Sequence, residues 1–416
     1  MRIIDSTNTR AVNRLVSRDL ARNPDVEAQA ARIVADVRRR GDRAVLAWSR
    51  KLDGFLGDME SMAVTTAQLK AGWAATPRDV RAAIRDAIRN VRRVAEAQTP
   101  RTVRVQVTAG VTVAQRVAPL ARVGCYVPGG RHPLPSTLIM TVVPAKVAGV
   151  PDVIVTCPSP APAVLCAALE AGADRLLRLG GAQAIGAMAY GTAGIPRVDK
   201  IVGPGNAWVA AAKRLVSRDC PIDVHAGPSE IVVWSDEGRA DWIALDLLAQ
   251  AEHDPAARAV LVTTRAPLAR AVAAAVRRHL PADGPAREAI RRHGAVVLAR
   301  TRREAIDIVN RLAAEHLVVD RAEDVPAVTA AGTIFVGPWS VQAAGDYTTG
   351  SNHVLPTGGA ARFRGGLTTA DFVRTFTVQS LTRRGLAAIA PAAIALAEAE
   401  GLTMHARSIA SRSVRP

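Results

Sequence analysis

The groups best suited to chemistry in this chain are a few imidazoles and the residues beside them. Histidine is scarce, eight in 416 residues, and only some of these stand next to other ligand-type side chains. His253 comes three residues after Gln250 near the end of an expected helix, so the two side chains share one face. His316 follows Glu315 where a helix gives way to a strand. Asp346 and His353 frame the loop GDYTTGSNHVLPT, and His405 follows Glu400 in a segment broken by Gly401. Together these supply imidazole nitrogens and carboxylates, the donors that zinc takes with open coordination positions. They are too far apart for spacing to define a site, and each alone reads equally as a surface or capping residue. His132, His225, His279 and His293 have no such neighbours.

Two glycine turns offer a different chemistry. Gly180-Gly181-Ala182-Gln183 and Gly203-Pro204-Gly205-Asn206 each lie between an expected strand and an expected helix. Backbone N–H groups at a helix N-terminus suit a pyrophosphate, although tight turn geometry explains the glycines equally well. Their place in consecutive βα units favours a ligand, because ligands of parallel sheets sit outside the C-terminal strand ends. No GxGxxG follows a strand, and no GxxxxGK[ST] occurs, so the usual dinucleotide and P-loop fingerprints are absent.

The elements that must position these residues follow from periodicity. Over 23–100, Val26, Ala30, Ile33 and Val37, then Ala83, Ile84, Ile88 and Val91, recur at helical steps. Residues 102–117 alternate about Ala109-Gly110 and read as a hairpin. From 123 the texture is strand, glycine turn, helix: strands at 153–156, 175–179 and 200–202, each followed by a helix. A second series has strands at 231–234, 259–263, 295–298 and 333–336. This alternation predicts an α/β protein with two Rossmann-like parallel-sheet domains, one inserted in the other, and helical N- and C-terminal extensions. The expected divisions are an extension over 1–22, a discontinuous α/β domain over 23–122 and 231–368, an inserted α/β domain over 123–230, and a helical tail over 369–416.

Composition narrows the class. With 49% hydrophobic and 22% charged residues, the chain is expected to be a soluble, cytoplasmic globular protein. The opening MRIIDSTNTR has no apolar signal-peptide core, and the longest uncharged stretch, 325–345, is broken by Pro326, Gly332, Gly337 and Pro338, so no membrane segment is expected. Cys125, Cys157, Cys166 and Cys220 have no CxxC spacing and read as reduced, buried thiols. Cys125 beside Tyr126 invites a thiohemiacetal role, but nothing around it argues for a lowered pKa, so packing is the better reading. The charge of +17 comes from arginines scattered along the chain, and with 3% aromatics the parts for stacking on nucleic acid are missing.

The segments RVGCYVPGG, PAKVAGV, GGAQAIGAMAYGT, VDKIVGPGN, AGPSEI, LLAQAEHD, AEHLVV, GDYTTGSNHVLPTGGAARF and EGLTMHA, in this order along nearly the whole chain, resemble the histidinol dehydrogenase family. The resemblance implies a zinc-dependent, four-electron oxidation of L-histidinol through L-histidinaldehyde to L-histidine with two NAD, closing histidine biosynthesis. It implies that Gln250, His253, Asp346 and His405 bind one zinc ion, and that Glu315 and His316 are the acid/base pair. Substrate contacts would come from Ser229, His316, His353 and Glu400 together with the zinc ligands Gln250, His253, Asp346 and His405. NAD contacts would come from Tyr126, Gln183 and Asn206. It further implies a homodimer whose sites are shared between subunits through the tail. The sequence departs from the commonest family pattern at FRGGLTT and at His225. The alternative is therefore a related metal-dependent dehydrogenase acting on another small polar alcohol.

Overall fold

The computed structural model describes residues 1–17, 23–129, 133–224 and 227–413. The first strand, β1 (Arg2–Asp5), is followed by α1 (Thr9–Val16) and a helical stretch, α2 (Pro24–Arg40), α3 (Asp42–Asp53), α4 (Met59–Met62), α5 (Thr66–Ala75) and α6 (Arg78–Gln98). The hairpin β2 (Val103–Thr108) and β3 (Val111–Pro119) comes next. Four βα units follow: β4 (Arg122–Tyr126) with α7 (Pro135–Val147), β5 (Asp152–Thr156) with α8 (Pro162–Ala171), β6 (Arg175–Leu177) with α9 (Gly181–Tyr190), and β7 (Lys200–Val202) with α10 (Ala207–Val216). The second series runs β8 (Glu230–Trp234), α11 (Ala240–Ala251), β9 (Arg258–Thr263), α12 (Ala266–His279), α13 (Pro285–His293), β10 (Ala295–Leu298), α14 (Arg302–Leu312), β11 (His316–Val319), β12 (Thr333–Val336) and α15 (Gln342–Gly345). The chain ends with β13 (Val373–Leu381), α16 (Arg383–Ala399) and α17 (Thr403–Ser413).

The α/β expectation is met by two parallel sheets. One has four strands in the order β6-β5-β4-β7, the other six in the order β1-β10-β9-β8-β11-β12. Strands such as DVIVT and EIVVW are nearly uninterrupted apolar runs because both their faces are covered by helices. In the first sheet the order reverses between β4 and β7, and in the second between β8 and β11. Along the chain, the first sheet is inserted between β1 and the rest of the second.

Three expectations need correction. Residues 1–22 are not a separate helical extension: β1 is an edge strand of the second sheet, in register with β10 from Arg2↔Ala295 to Asp5↔Leu298. The helices over 23–98 do not go with the second sheet either. Asn23 caps α2 through Asp25 N and Val26 N, and the stripe Val26, Ala30, Ile33, Val34 and Val37 packs into one core with Tyr126, Ile154, Ile185 and Val209 of the first. An amphipathic stripe states that a face is buried, not against what. Finally, the tail is not wholly helical, since β13 is a nine-residue strand whose antiparallel partner is β3, with Phe376 opposite Arg116.

By compactness the chain divides into two units, Met1–Gln98 with Ala121–Phe372, and Thr99–Leu120 with Val373–Pro416. The first holds both parallel sheets. The second holds the sheet β13-β3-β2 and the helices α16 and α17, which pack on each other. Val103, Val105 and Val107 of β2 and Phe376, Val378 and Leu381 of β13 are exposed in this chain.

Candidate active site

The acid/base and metal candidates of the first unit meet at the N-terminal edge of the second sheet. Glu315 closes the connection from α14, and His316 is the first residue of β11, paired in register with Ile231 of β8. Ser229 and Glu230 stand at the start of β8 on the same edge, where the Glu230 backbone N–H donates to Glu315 Oε2 at 2.9 Å. Helix α11 runs back from the far edge, so its last turn brings Gln250 here, with His253 just beyond. The short helix α15 packs on α11, and Asp346 is its C-terminal cap. Chain positions almost a hundred residues apart thus converge because α/β units return to the same sheet edge.

Asp346 is the hub. Its Oδ2 lies 3.9 Å from His253 Nε2 and accepts from Gln342 Nε2 at 3.2 Å, while Oδ1 is 3.7 Å from His316 Nε2. His316 is buried, and its Nδ1, 3.8 Å from Glu315 Oε2, has no hydrogen-bond partner among the described residues. Burial opposes a charge on His316, but Asp346 and Glu315 outweigh it and hold its pKa above the usual imidazole value. For Glu315 burial wins: despite His316, the carboxyl is pushed up to about 7, with Glu230 and Asp346 adding like charge. Asp346 stays below the usual carboxylate range although buried, since His316, His353 and His253 favour its charged form. His353 Nδ1 lies 2.9 Å from the Asp346 carbonyl, which can only accept, so that nitrogen carries a hydrogen and Nε2 is left to accept from Thr137 Oγ1 at 3.4 Å. Burial holds the His353 pKa down.

Gln250 is 1% exposed, and its Oε1 has no hydrogen-bond partner among the described residues. A buried amide oxygen left unpaired costs about 1–3 kcal/mol, so its environment is incomplete without a further group. With His253 half-exposed beside the Asp346 carboxylate, the nitrogen and oxygen donors fit a zinc ion. Among the described residues no group of three His, Cys, Asp or Glu is placed to hold a metal ion by itself. Glu400 and His405 belong to the second unit, Glu400 as the C-cap of α16 and His405 in the first turn of α17.

The dinucleotide candidates surround the crevice where the first sheet reverses order. Tyr126 ends β4, and the turn Gly203-Pro204-Gly205-Asn206 follows β7, its neighbour across the reversal. Gly203 has φ +111, and a Cβ there would come within 2.1 Å of the Tyr126 carbonyl, so only glycine permits this approach. Asn206 caps α10 by accepting from Val209 N at 3.1 Å. Tyr126, its hydroxyl pushed up to about 12 by burial, receives the Gly181 N–H at 3.1 Å. Gln183 is fully buried. The mouth of α9 therefore joins Tyr126, Gly181 and Gln183, and it suits a dinucleotide. At the matching crevice of the second sheet, a cavity of about 260 Å³ is lined by Asp236, Glu237, Asp320 and Asp324 with Arg265, Arg302 and Arg321. There Asp320 Oδ2 already accepts the N–H groups of Asp236 and Glu237, which closes the turn to an anion.

Sequence reasoning missed Glu230 and Asp53, both acids whose burial only the fold reveals. Of the residues set aside, His279 pairs with Asp241 at 3.0 Å on the surface and the His293 pKa is held down by partial burial; His132 and His225 lie outside the described residues. The departure at FRGGLTT is structural, since Arg364 pairs with Asp371 at 2.5 Å, which also takes Lys200 at 2.9 Å. Cys125 is fully buried and its thiol is pushed up to about 12.

Comparison with known proteins identifies the family. The family model described as histidinol dehydrogenase matches residues 16–413. A histidinol dehydrogenase of Rhizobium meliloti (strain 1021) is 44% identical over 399 residues, covering 93% of this chain and 92% of that protein. One from Geobacter sulfurreducens (strain ATCC 51573 / DSM 12127 / PCA) is 43% identical over 93% of each chain. The crystal structure of histidinol dehydrogenase from Elizabethkingia anophelis superposes with a TM-score of 0.93 at 30% identity, covering 99% of this chain and 98% of the other. With the motifs, the sheets and these matches in agreement over almost the full length, the chain belongs to the histidinol dehydrogenase family.

Proposed function

We propose that this protein oxidises L-histidinol through L-histidinaldehyde to L-histidine, with Glu315 and His316 as its acid/base pair. The observation that carries the reading is the buried Glu315–His316 pair set against Asp346 and beside the unpaired Gln250 amide. In the alcohol step His316 takes the hydroxyl proton at a ring nitrogen as hydride leaves the carbinol carbon. Its charged form is favoured by Asp346 and Glu315, which makes it an effective acceptor in a site otherwise shielded from water. In the aldehyde step Glu315, with its carboxyl near neutrality, takes a proton from the water that adds to the carbonyl. A second hydride then leaves the hydrate as His316 accepts its proton. The alcohol step releases one hydride and one proton; the aldehyde step, which consumes the water, releases one hydride and two protons and leaves the carboxylate, so the two hydrides account for four electrons.

Gln250, His253, Asp346 and His405 would hold zinc, which supplies a Lewis-acidic anchor for the substrate's imidazole and amine nitrogens. Two NAD molecules, used in turn at Tyr126, Gln183 and Asn206, supply the hydride acceptor. Ser229, His353 and Glu400 complete the substrate's surroundings. The enzyme works as a homodimer: the exposed apolar side chains of β2 and β13 and of Leu396 need a partner surface, and a second copy would bring Glu400 and His405 to a shared site. We place it in the cytoplasm, in keeping with four free, buried cysteines and with no described helix long and apolar enough to cross a membrane. The deciding assay supplies L-histidinol and counts NADH formed per substrate consumed. A ratio near two is expected; a ratio of one, or turnover only of another alcohol, overturns the reading.

A further inference from the structure

Asp53 is the last residue of α3, ahead of the left-handed Gly54 that caps it. A carboxylate at a helix C-terminus faces the negative end of the dipole, and partial burial pushes the Asp53 pKa up as well. Both effects disfavour an acid here, so a gain elsewhere must hold it in place. Its partners lie at the mouth of α9: Asp53 Oδ2 accepts from Gln183 Nε2 at 2.9 Å, and Oδ1 lies 3.2 Å from where a Gly180 Cβ would stand.

The consequence falls on Gln183. A carboxylate only accepts, so the nitrogen of the Gln183 amide must face Asp53 and the oxygen must point the other way. That oxygen, Oε1, has no hydrogen-bond partner among the described residues, although Gln183 is fully buried. It stands at the helix mouth, 2.6 Å from where a Cβ on Gly181 would be, beside the N–H that Tyr126 holds. Gly180, the N-cap, has no side chain to close the turn. A buried acceptor without a donor, fixed at the mouth of a helix, is built for a ligand that carries O–H or N–H donors.

We propose that Asp53 is a positioning residue of the dinucleotide site: by taking the Gln183 Nε2 hydrogen it presents Oε1 as the acceptor for a hydroxyl or amide N–H of the cofactor. This rests on the reading that NAD binds at Tyr126, Gln183 and Asn206. Asp53 does not touch the reacting atoms and acts through the mouth of α9, where it holds the Gln183 amide and also accepts from the Gly180 backbone. Without it the amide turns over, and its NH₂ meets the ligand's donor.

The test is NAD⁺ affinity by isothermal titration calorimetry on the full-length enzyme, with Asp53→Ala, Asp53→Asn and Gln183→Ala compared. We expect Asp53→Ala to raise the NAD⁺ Kd about ten-fold, as for loss of one hydrogen bond to a charged group, and to raise KM for NAD⁺ while kcat and the KM for histidinol stay within about two-fold. Asp53→Asn, whose Oδ1 still accepts from Nε2, should restore most of the affinity. An unchanged Kd in Asp53→Ala alongside a raised Kd in Gln183→Ala overturns the proposal and leaves the cofactor reading standing. An unchanged Kd in both overturns the cofactor reading itself. A fall in melting temperature without a change in Kd assigns Asp53 a purely structural role and also refutes the proposal. Should Asp53→Ala not fold, Asp53→Ser, too short to reach Gln183, is read in the same way.

Discussion

Lys213→Met tests how the dinucleotide turn is held. Lys213 and Asp223 form an ion pair with side chains 4% and 2% exposed. Lys213 Nζ also donates to the Gly203 carbonyl at 2.8 Å, and Asp223 Oδ2 accepts the Gly203 N–H at 2.7 Å. The pair therefore clamps both polar groups of the one residue that must approach the Tyr126 carbonyl. Removing the ammonium leaves a buried carboxylate without a counter-charge and a carbonyl without its donor, which costs about 3–5 kcal/mol. With an unfolding entropy of about 2.1 cal/mol/K per residue, a unit of this size shifts by about 1–1.5 °C per kcal/mol, so the melting temperature should fall by roughly 3–8 °C. Asp223→Asn alone strands the ammonium and should cost a similar amount. The double variant Lys213→Met/Asp223→Asn strands no charge, and the amide oxygen it introduces can still accept the Gly203 N–H, so it should recover about 1.5–3 kcal/mol relative to the sum. Urea denaturation gives the stabilities, and calorimetric titration of NAD⁺ shows whether the turn has loosened. A Lys213→Met cost below about 1 kcal/mol, or a double variant equal to the sum of the singles, would refute the clamp.

Four further outcomes are expected. His316→Asn should keep the fold and lose about 10² to 10⁴ in turnover, the range for a removed acid/base group, measured as initial NADH formation; a loss under five-fold (about 1 kcal/mol) would remove His316 from that role. Chelation should abolish turnover and zinc restore it, and His253→Ala should lower the metal content found by elemental analysis, whereas full activity of metal-free enzyme would rule zinc out. Cys125→Ser should stay active and native Cys125 should resist maleimide, because its thiol is pushed up to about 12; rapid labelling with loss of activity would reopen a nucleophilic role. Glu230, buried and pushed up to about 7, holds its proton more tightly folded than unfolded, where the pKa is about 4.3. Its contribution is therefore favourable below the unfolded value and is lost as pH rises toward 7, so Glu230→Gln should flatten the fall in stability across that window in urea titrations, and an unchanged slope would contradict the burial argument.

The parallel sheets were legible because strands covered on both faces leave apolar runs such as RAVLVT, which no solvent-facing element tolerates. Strand β13 was not, because Val373, Phe376, Val378 and Leu381 keep no strict alternation next to a long helix, and only β3 decides that it extends. The partner of α2 was equally hidden, since Val26 and Ile33 announce a buried face without naming Ile185 as its neighbour. At the site, Gln250 was readable at the end of its helix, but His253 lies past the C-cap Glu252 and not on the shared helix face expected of the pair. Their meeting with Asp346 was not readable, because sheet topology rather than spacing brings that loop back. Glu230 and Asp53 look like solvated acids in the sequence; burial is a property of the fold.

The two sheets share an architecture, and on the proposed reading they use opposite edges. Parallel sheets offer a ligand crevice at the C-terminal strand ends where the order reverses. In the first sheet that crevice presents Tyr126, the glycine turn at Gly203, whose N–H is taken by Asp223, and the mouth of α9, where Asp53 holds Gln183. In the second the same crevice is occupied by the protein's own carboxylates: Asp320 fills the turn after β8, and Asp236 accepts from the Thr263 and Thr264 hydroxyls. Arg265, Arg302 and Arg321 line the same cavity, and Arg302 and Arg321 pair with Asp324 and Glu237, so the charges there are met within the protein. On the proposed reading the second sheet carries chemistry on its N-terminal edge instead, where α11 and β11 end and begin, and where Glu315, His316, Gln250 and Asp346 gather. A repeated βα layout then carries one proposed oxidation site, because Asp236 and Asp320 already take the second crevice's own donors, whereas the buried Gln183 Oε1 at the first is left without a partner among the described residues.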